Sequence, residues 1–165
     1  MWEAESTVRL ANRLDIPALV ELRLANAEAH IALDPQTYRI PRRDAVARHF
    51  TSLFADDTGR HAVLVAETPA HLVVGMIEVI RRPEPPDHQI LRTDPSAEVH
   101  TVVLDGARGR GTGSALLEAA QRWATDQGIR YLSAGINHRN AGAVRFYNRH
   151  GLTEAGLSLG RRLTP

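Results

Sequence analysis

The chain has 165 residues, the size of one domain, and its 43% apolar content is that of a folded globular protein rather than a disordered one. No run of about 18 apolar residues is present to span a bilayer, and zero Cys excludes disulfides, thiolate nucleophiles and zinc–thiolate sites. A formal net charge of +1 is too balanced for nucleic acid as the main partner, and since all 20 basic residues are Arg, a P-loop lysine and a Schiff-base lysine are also excluded.

The start, Met1 to Leu10, carries Glu3 and Glu5 and lacks an apolar h-region, so no signal peptide and a cytoplasmic location are expected. Trp2 is expected to pack at the N-terminus or to be disordered. Thr7–Ala11 reads as a short strand. Asp15 is placed to cap a helix with Pro17 in its first turn. Ile16, Leu19, Val20, Leu24 and Ala27 follow at helical spacing, interrupted by the polar Arg23. Asp44–Phe54 fits a second helix with Val46, Phe50, Leu53 and Phe54 on one face.

His61–Glu67 and Leu72–Ile80 read as two strands joined by Thr68-Pro69-Ala70-His71, an antiparallel hairpin. Arg81–Ser96, with four prolines and little apolar periodicity, reads as a loop long enough to be functional or mobile. Then come a strand at Glu98–Leu104, a helix at Gly113–Gln127 ended by Gly128, a strand at Arg130–Ile136, and a helix at Ala141–Arg149 closed by Gly151. One or two strands in Leu152–Leu163 complete the order βααβββαβαβ. The expected fold class is a single α/β domain with a mixed sheet. Trp123 is expected to be partly buried packing. The histidines show no metal-ligand spacing, so no metal is expected.

The segment Val102-Val103-Leu104-Asp105-Gly106-Ala107-Arg108-Gly109-Arg110-Gly111-Thr112-Gly113-Ser114 runs from an apolar strand through a glycine-rich turn into a helix. Glycines let a phosphate approach backbone N–H groups, and the first N–H groups of a helix, with its macrodipole, favour an anion. Arg108 and Arg110 add charge. A Walker loop is excluded by the missing Lys. A dinucleotide fingerprint fits only by letting Ser114 stand for its last Gly, in a loop that follows about four strands rather than the first.

Arg108-Gly109-Arg110-Gly111-Thr112-Gly113 matches in full the phosphate motif Gln/Arg-x-x-Gly-x-Gly/Ala of the GNAT superfamily of N-acetyltransferases, which the chain resembles. Asn140, Ala143, Tyr147 and Gly151-Leu152 match a second feature of that family, and Arg9-Leu10-Ala11 with Asp15-Ile16-Pro17-Ala18-Leu19 is similar to its first strand and helix. The resemblance implies a mixed, strongly twisted sheet with helices on both faces, and transfer of an acetyl group from acetyl-CoA to an amine. By resemblance, Arg108–Ser114 takes the CoA diphosphate. The backbone of Val103 holds the pantetheine arm, as Asn140 does from the next strand, with Ala143 beside it. A backbone N–H near Val102 or Val103 stabilises the oxyanion. Tyr147 stands at the general-acid position and protonates the leaving thiolate.

The base is left open. Alternation puts Glu98, His100 and Val102 on one face of their strand, unless a bulge shifts the register. Glu98 and His100 are therefore candidates, Glu78 on the preceding strand is a third, and a reaction without a dedicated base is the fourth case. The implied partner is a small-molecule or peptide amine, with a homodimer compatible. Asp34, Asp56, Asp57, Glu84, Asp87 and Asp94 are either an acidic rim for a cationic amine or a solvated surface. Arg81–Ser96 is expected as a lip over the acceptor site. A non-catalytic acyl-CoA-binding sensor on the same fold is the alternative function.

Overall fold

The computed structural model describes residues 6–164, so Trp2 lies outside the described residues. The elements are β1 (Thr7–Leu10), α1 (Ile16–Leu33), α2 (Arg43–Ala55), β2 (His61–Glu67), β3 (Val73–Arg81), β4 (Ser96–Val103), α3 (Thr112–Asp126), β5 (Tyr131–Ser133) and α4 (Ala141–Arg149), with short 3-10 turns at Arg13–Asp15 and Asp105–Ala107. The chain divides into two compact units, Met1–Gly135 and Ile136–Pro165.

The first unit holds a mixed sheet in the order β1-β2-β3-β4-β5. The β1–β2, β2–β3 and β3–β4 pairs are antiparallel, and β4–β5 is parallel. Both faces are covered, which is why β2 and β3 are buried almost continuously instead of alternating. On one face Val63, Val65, Met76 and Val102 pack with Leu19, Leu22 and Leu24 of α1 and Val46 and Phe50 of α2. On the other, α3 brings Leu116, Leu117, Ala120 and Ala124 against β2, β3 and β4. Each fully buried Leu or Phe contributes about 1.5–3 kcal/mol.

Local chemistry sets the element ends. Asp15 does not cap α1 through its side chain. It accepts the N–H of Asn12 (2.8 Å) in a capping box around the 3-10 turn, and pairs in bidentate fashion with Arg9 of β1 (2.8 and 2.9 Å). The hydrogen bonds from Arg9 hold the Asp15 carboxyl below its ordinary value despite burial. Helix α3 closes as a Schellman motif, Gly128 N–H bonding to Thr125 O (3.0 Å) and Ile129 N–H to Ala124 O (2.9 Å).

Two expectations are corrected. Strand β5 spans only Tyr131–Ser133, not Arg130–Ile136. Its pairing with β4 ends at Glu98↔Ser133, and residues 134–136 have no ladder partner to extend the strand. Leu152–Leu163 forms no strand, and Leu157, Leu159 and Leu163 are exposed. Apolar spacing alone supplies no ladder partner for the backbone.

Candidate active site

Strand β4 pairs with β3 without interruption from Arg81↔Ala97 to Gly75↔Val103. No bulge shifts its register, so Glu98, His100 and Val102 share the face covered by α1 and α2. The β4–β5 pairing ends at Glu98↔Ser133. Among the described residues β4 has no ladder partner on its β5 side from Val99 to Val103, so the two strands part just after Glu98. The Glu98 carboxylate pairs with Arg82 (3.0 Å) and lies 3.8 Å from His100. It approaches Gly135 so closely that a Cβ there would lie 3.1 Å from its Oε1. Glu98 and His100 are thus together beside the opening.

Glu78 stands opposite His100 on β3. Its side chain is 1% exposed, and both of its oxygens are engaged. Oε1 accepts from Arg23 of α1, and Oε2 is 3.2 Å from His49 Nε2 of α2. Burial by itself pushes this carboxyl up. The His49 hydrogen bond, and then the charges of Arg23, His49 and His100, outweigh it and bring Glu78 below its ordinary value. Glu78 is therefore an ionised anchor, poorly suited to take a proton.

Arg23 and His49 line a cavity of about 310 Å³ with Pro41, Ala45 and Val46. Neither residue stands out in the sequence. Arg23 reads there as a break in an apolar helical stripe and His49 as one surface histidine among several. The one available signal is a Glu inside the apolar run Val73–Ile80, which needs a cationic partner if buried.

The turn after β4 ends in an uncapped helix. Gly109 and Gly111 have φ of 73° and 79°, in the left-handed region that favours glycine. Gly111 is the N-cap residue of α3, with no side-chain cap and no acidic residue in the first turn. A Cβ at Gly106, Gly109 or Gly111 would meet nothing within 4 Å, so this side of the turn is open. Ala115 N–H makes the first helical bond, to Gly111 O (2.9 Å). The N–H groups of Thr112 and Gly113 precede it, at the positions of a helix start that have no intrahelical acceptor.

The two arginines of the turn differ. Arg108 folds back, donating from Nε to Val103 O (3.1 Å) and pairing with Asp105 (3.0 Å). Arg110 has no ion-pair partner among the described residues and lines a second cavity, of about 260 Å³, with Ser6, Thr68, Val74, Leu104, Gly106, Ala107 and Thr112. None of the six carboxylates considered for an acidic rim lines either cavity.

In the second unit, Asn140 is the N-cap of α4 rather than a residue at a strand end. Its Oδ1 accepts the N–H of Ala143 (3.1 Å). Tyr147 is 7% exposed on α4, its ring edge-on to Phe146 at 5.0 Å. Among the described residues no three His, Asp or Glu side chains are grouped to hold a metal, and no helix is long and apolar enough to cross a membrane.

The chain is similar to YwnH of Bacillus subtilis (strain 168), provisionally named a phosphinothricin acetyltransferase, with 40% identity over 62 residues, 38% of each chain. The described fold is similar to a mutant of the BH1408 protein of Bacillus halodurans (TM-score 0.81, 18% identity, 96% of this chain and 99% of that one). It is also similar to the aminoglycoside acetyltransferase AAC(6')-Iy in complex with a bisubstrate analogue, CoA-S-monomethyl-acetylneamine (TM-score 0.73, 20% identity, 97% and 99%). The model of the acetyltransferase (GNAT) family matches residues 25–152. That stretch runs from α1 through β4, the glycine turn and α4, and the chain belongs to the GNAT acetyltransferase family.

Proposed function

We propose that this single-domain protein transfers the acetyl group of acetyl-CoA to a primary amine of a small molecule or peptide by direct attack. The observation that carries this reading is the uncapped N-terminus of α3, behind a glycine turn, beside a β4 edge left open after Glu98. The turn Arg108–Ser114 binds the diphosphate through backbone N–H groups at the start of α3, with the Arg110 guanidinium adding charge. Arg108 shapes the turn through Val103 and Asp105. The backbone of Val103, whose N–H faces away from β3, holds the pantetheine arm as an added strand would and supplies the oxyanion donor. The Asn140 side-chain N–H₂, left over once Oδ1 has capped α4 at Ala143, donates to the same arm.

Glu98 or His100 receives the proton of the attacking amine. A lysine-like amine titrates near 10.4 and arrives largely protonated, so a proton acceptor at the wall raises the rate. Glu78 is spent on Arg23 and His49 and keeps that wall in place. Tyr147 donates its phenolic proton to the departing thiolate.

The decisive experiment measures release of free CoA thiol from acetyl-CoA over a panel of amines, with phosphinothricin, neamine and a lysine peptide among them. Turnover of any amine supports the transferase. A melting shift with acetyl-CoA and no turnover of any amine marks the acyl-CoA-binding sensor instead. Ligand at about 100 times its dissociation constant stabilises by about 2.7 kcal/mol, a readily measured shift. Gly111→Asp is expected to abolish the shift, because it forces a side chain and a negative charge into the turn at φ 79°. Equal shifts in the two proteins would remove the phosphate-turn assignment.

The β3–β4 connection carries the acceptor side of the proposal. Its base is tied by Arg82 N–H to Ser96 O (2.9 Å) and by Arg130 N–H to Pro95 O (2.8 Å). Its middle is exposed, with Ile90 at 98% and Leu91 at 67%, so no buried apolar anchor holds it. Replacing Pro83–Asp94 by a short Gly-containing turn is expected to leave the melting temperature and acetyl-CoA affinity nearly unchanged while altering KM for the amine. A variant with unchanged KM would make the loop a passive connector.

A further inference from the structure

The cavity walled by Arg23, Pro41, Ala45, Val46 and His49 takes no part in cofactor binding as described above. It lies between α1 and α2, on the sheet face that carries Glu98 and His100. Glu78, beneath its two polar walls, is the direct cross-strand partner of His100. Opposed side chains in an antiparallel pair stand about 4.5–5.5 Å apart at Cβ. The cavity is therefore a neighbour of the proposed reaction wall.

Its polar chemistry is one-sided. No carboxylate lines it, and the Glu78 carboxylate below has both oxygens occupied. Arg23 is held from two directions, by Glu78 and by the ring of Phe50, whose centroid lies 5.8 Å from Cζ. Its side chain is only 26% exposed. A guanidinium carries five N–H donors. Among the described residues only Nη2 of Arg23 has a hydrogen-bond partner, which leaves Nε and Nη1 without one there. A half-buried, positioned guanidinium with unfilled donors on an otherwise apolar cavity suits a planar or tetrahedral oxyanion.

We propose that this cavity is the acceptor subsite and that Arg23 there receives an acid group, so the acceptor is a primary amine that also carries a carboxylate or phosphate. The inference rests on the transferase reading and names its substrate class. The acid end lies on Arg23, the aliphatic body against Pro41, Ala45 and Val46, and the amine end towards Glu98 and His100.

The test uses matched probes. Each of 4-aminobutyrate, methionine and O-phosphoethanolamine is paired with its neutral counterpart: 4-aminobutanamide, methioninamide and ethanolamine. Binding to the CoA-loaded protein is followed by the amide NMR shifts of Ala45, Val46 and His49, which need no turnover. At least one acid-bearing amine is expected to shift these residues with an affinity at least about 10-fold above that of its neutral partner. Removing Arg23 threatens the fold, so the variant is Ala45→Glu, an exposed wall residue, with its melting temperature measured alongside. It is expected to weaken the acid-bearing amine about 10-fold and spare the neutral one. No acid-bearing probe shifting these residues, equal affinity within every pair, or an Ala45→Glu variant that binds as the wild type does would each overturn the subsite. Saturable binding here without thiol release from any amine keeps the subsite and removes the transferase reading. Amine turnover that ignores Ala45→Glu does the reverse.

Discussion

Tyr147→Phe is expected to lower kcat by about 10²–10⁴, the range for loss of a general acid or base. The substitution deletes one oxygen and keeps the ring. Tyr147 is 7% exposed, its ring contact with Phe146 at 5.0 Å does not need the hydroxyl, and its carbonyl still accepts the N–H of Leu152 (3.1 Å). Helix α4 and its Asn140 cap should therefore survive, and acetyl-CoA affinity should change little. A loss confined to kcat is the signature of proton donation to the thiolate. With acyl transfer shown to be rate-limiting, an unchanged kcat would withdraw Tyr147 from that role.

Arg23→Leu is expected to cost about 3–5 kcal/mol of stability, the usual penalty for stripping one partner from a buried ion pair. Against a total of about 5–15 kcal/mol this is severe, and for a chain of this size it lowers the melting temperature by roughly 6–20 °C. The penalty comes from Glu78, 1% exposed, which keeps only His49. The double variant Arg23→Leu/Glu78→Met should recover most of the loss, since an apolar pair of similar volume removes the orphaned charge.

The pH dependence follows from the Glu78 shift. In the wild type its folded pKa lies below its unfolded one, so its contribution is complete above the ordinary carboxyl range and is lost as pH falls through the folded value. In Arg23→Leu burial is opposed by less charge, the folded pKa rises, and protonation relieves the protein. The stability gap between variant and wild type should therefore shrink as pH is lowered from 7 towards about 4. A gap that is constant over this range, measured by urea unfolding, would mean that lost packing rather than charge causes the destabilisation.

The glycine-rich turn before α3 was legible in the chain because everything it needs is local. A strand, glycines at two left-handed positions and a helix N-terminus lie within Val102–Ser114, and their backbone N–H groups are brought together by a few dihedral angles. The same holds for the β2–β3 hairpin, joined by one turn, and for the face shared by Glu98, His100 and Val102, which follows from the two-residue period of an uninterrupted strand. Periodicity failed where a partner was required. Leu152–Leu163 has spaced apolar residues yet forms no strand, and β5 stops at Ser133, where its pairing with β4 ends.

Sequence alone thus determined the βα order through α4, the glycine-rich turn before α3 and the strand carrying Glu98 and His100. Only the tertiary structure decided what stands over that strand. Arg23 and His49 lie 55 and 29 residues from Glu78, and neither stands out locally. They become one cluster because α1 and α2 both bury their apolar stripes on the same sheet face, where a carboxylate 1% exposed must find a cation or lose its charge.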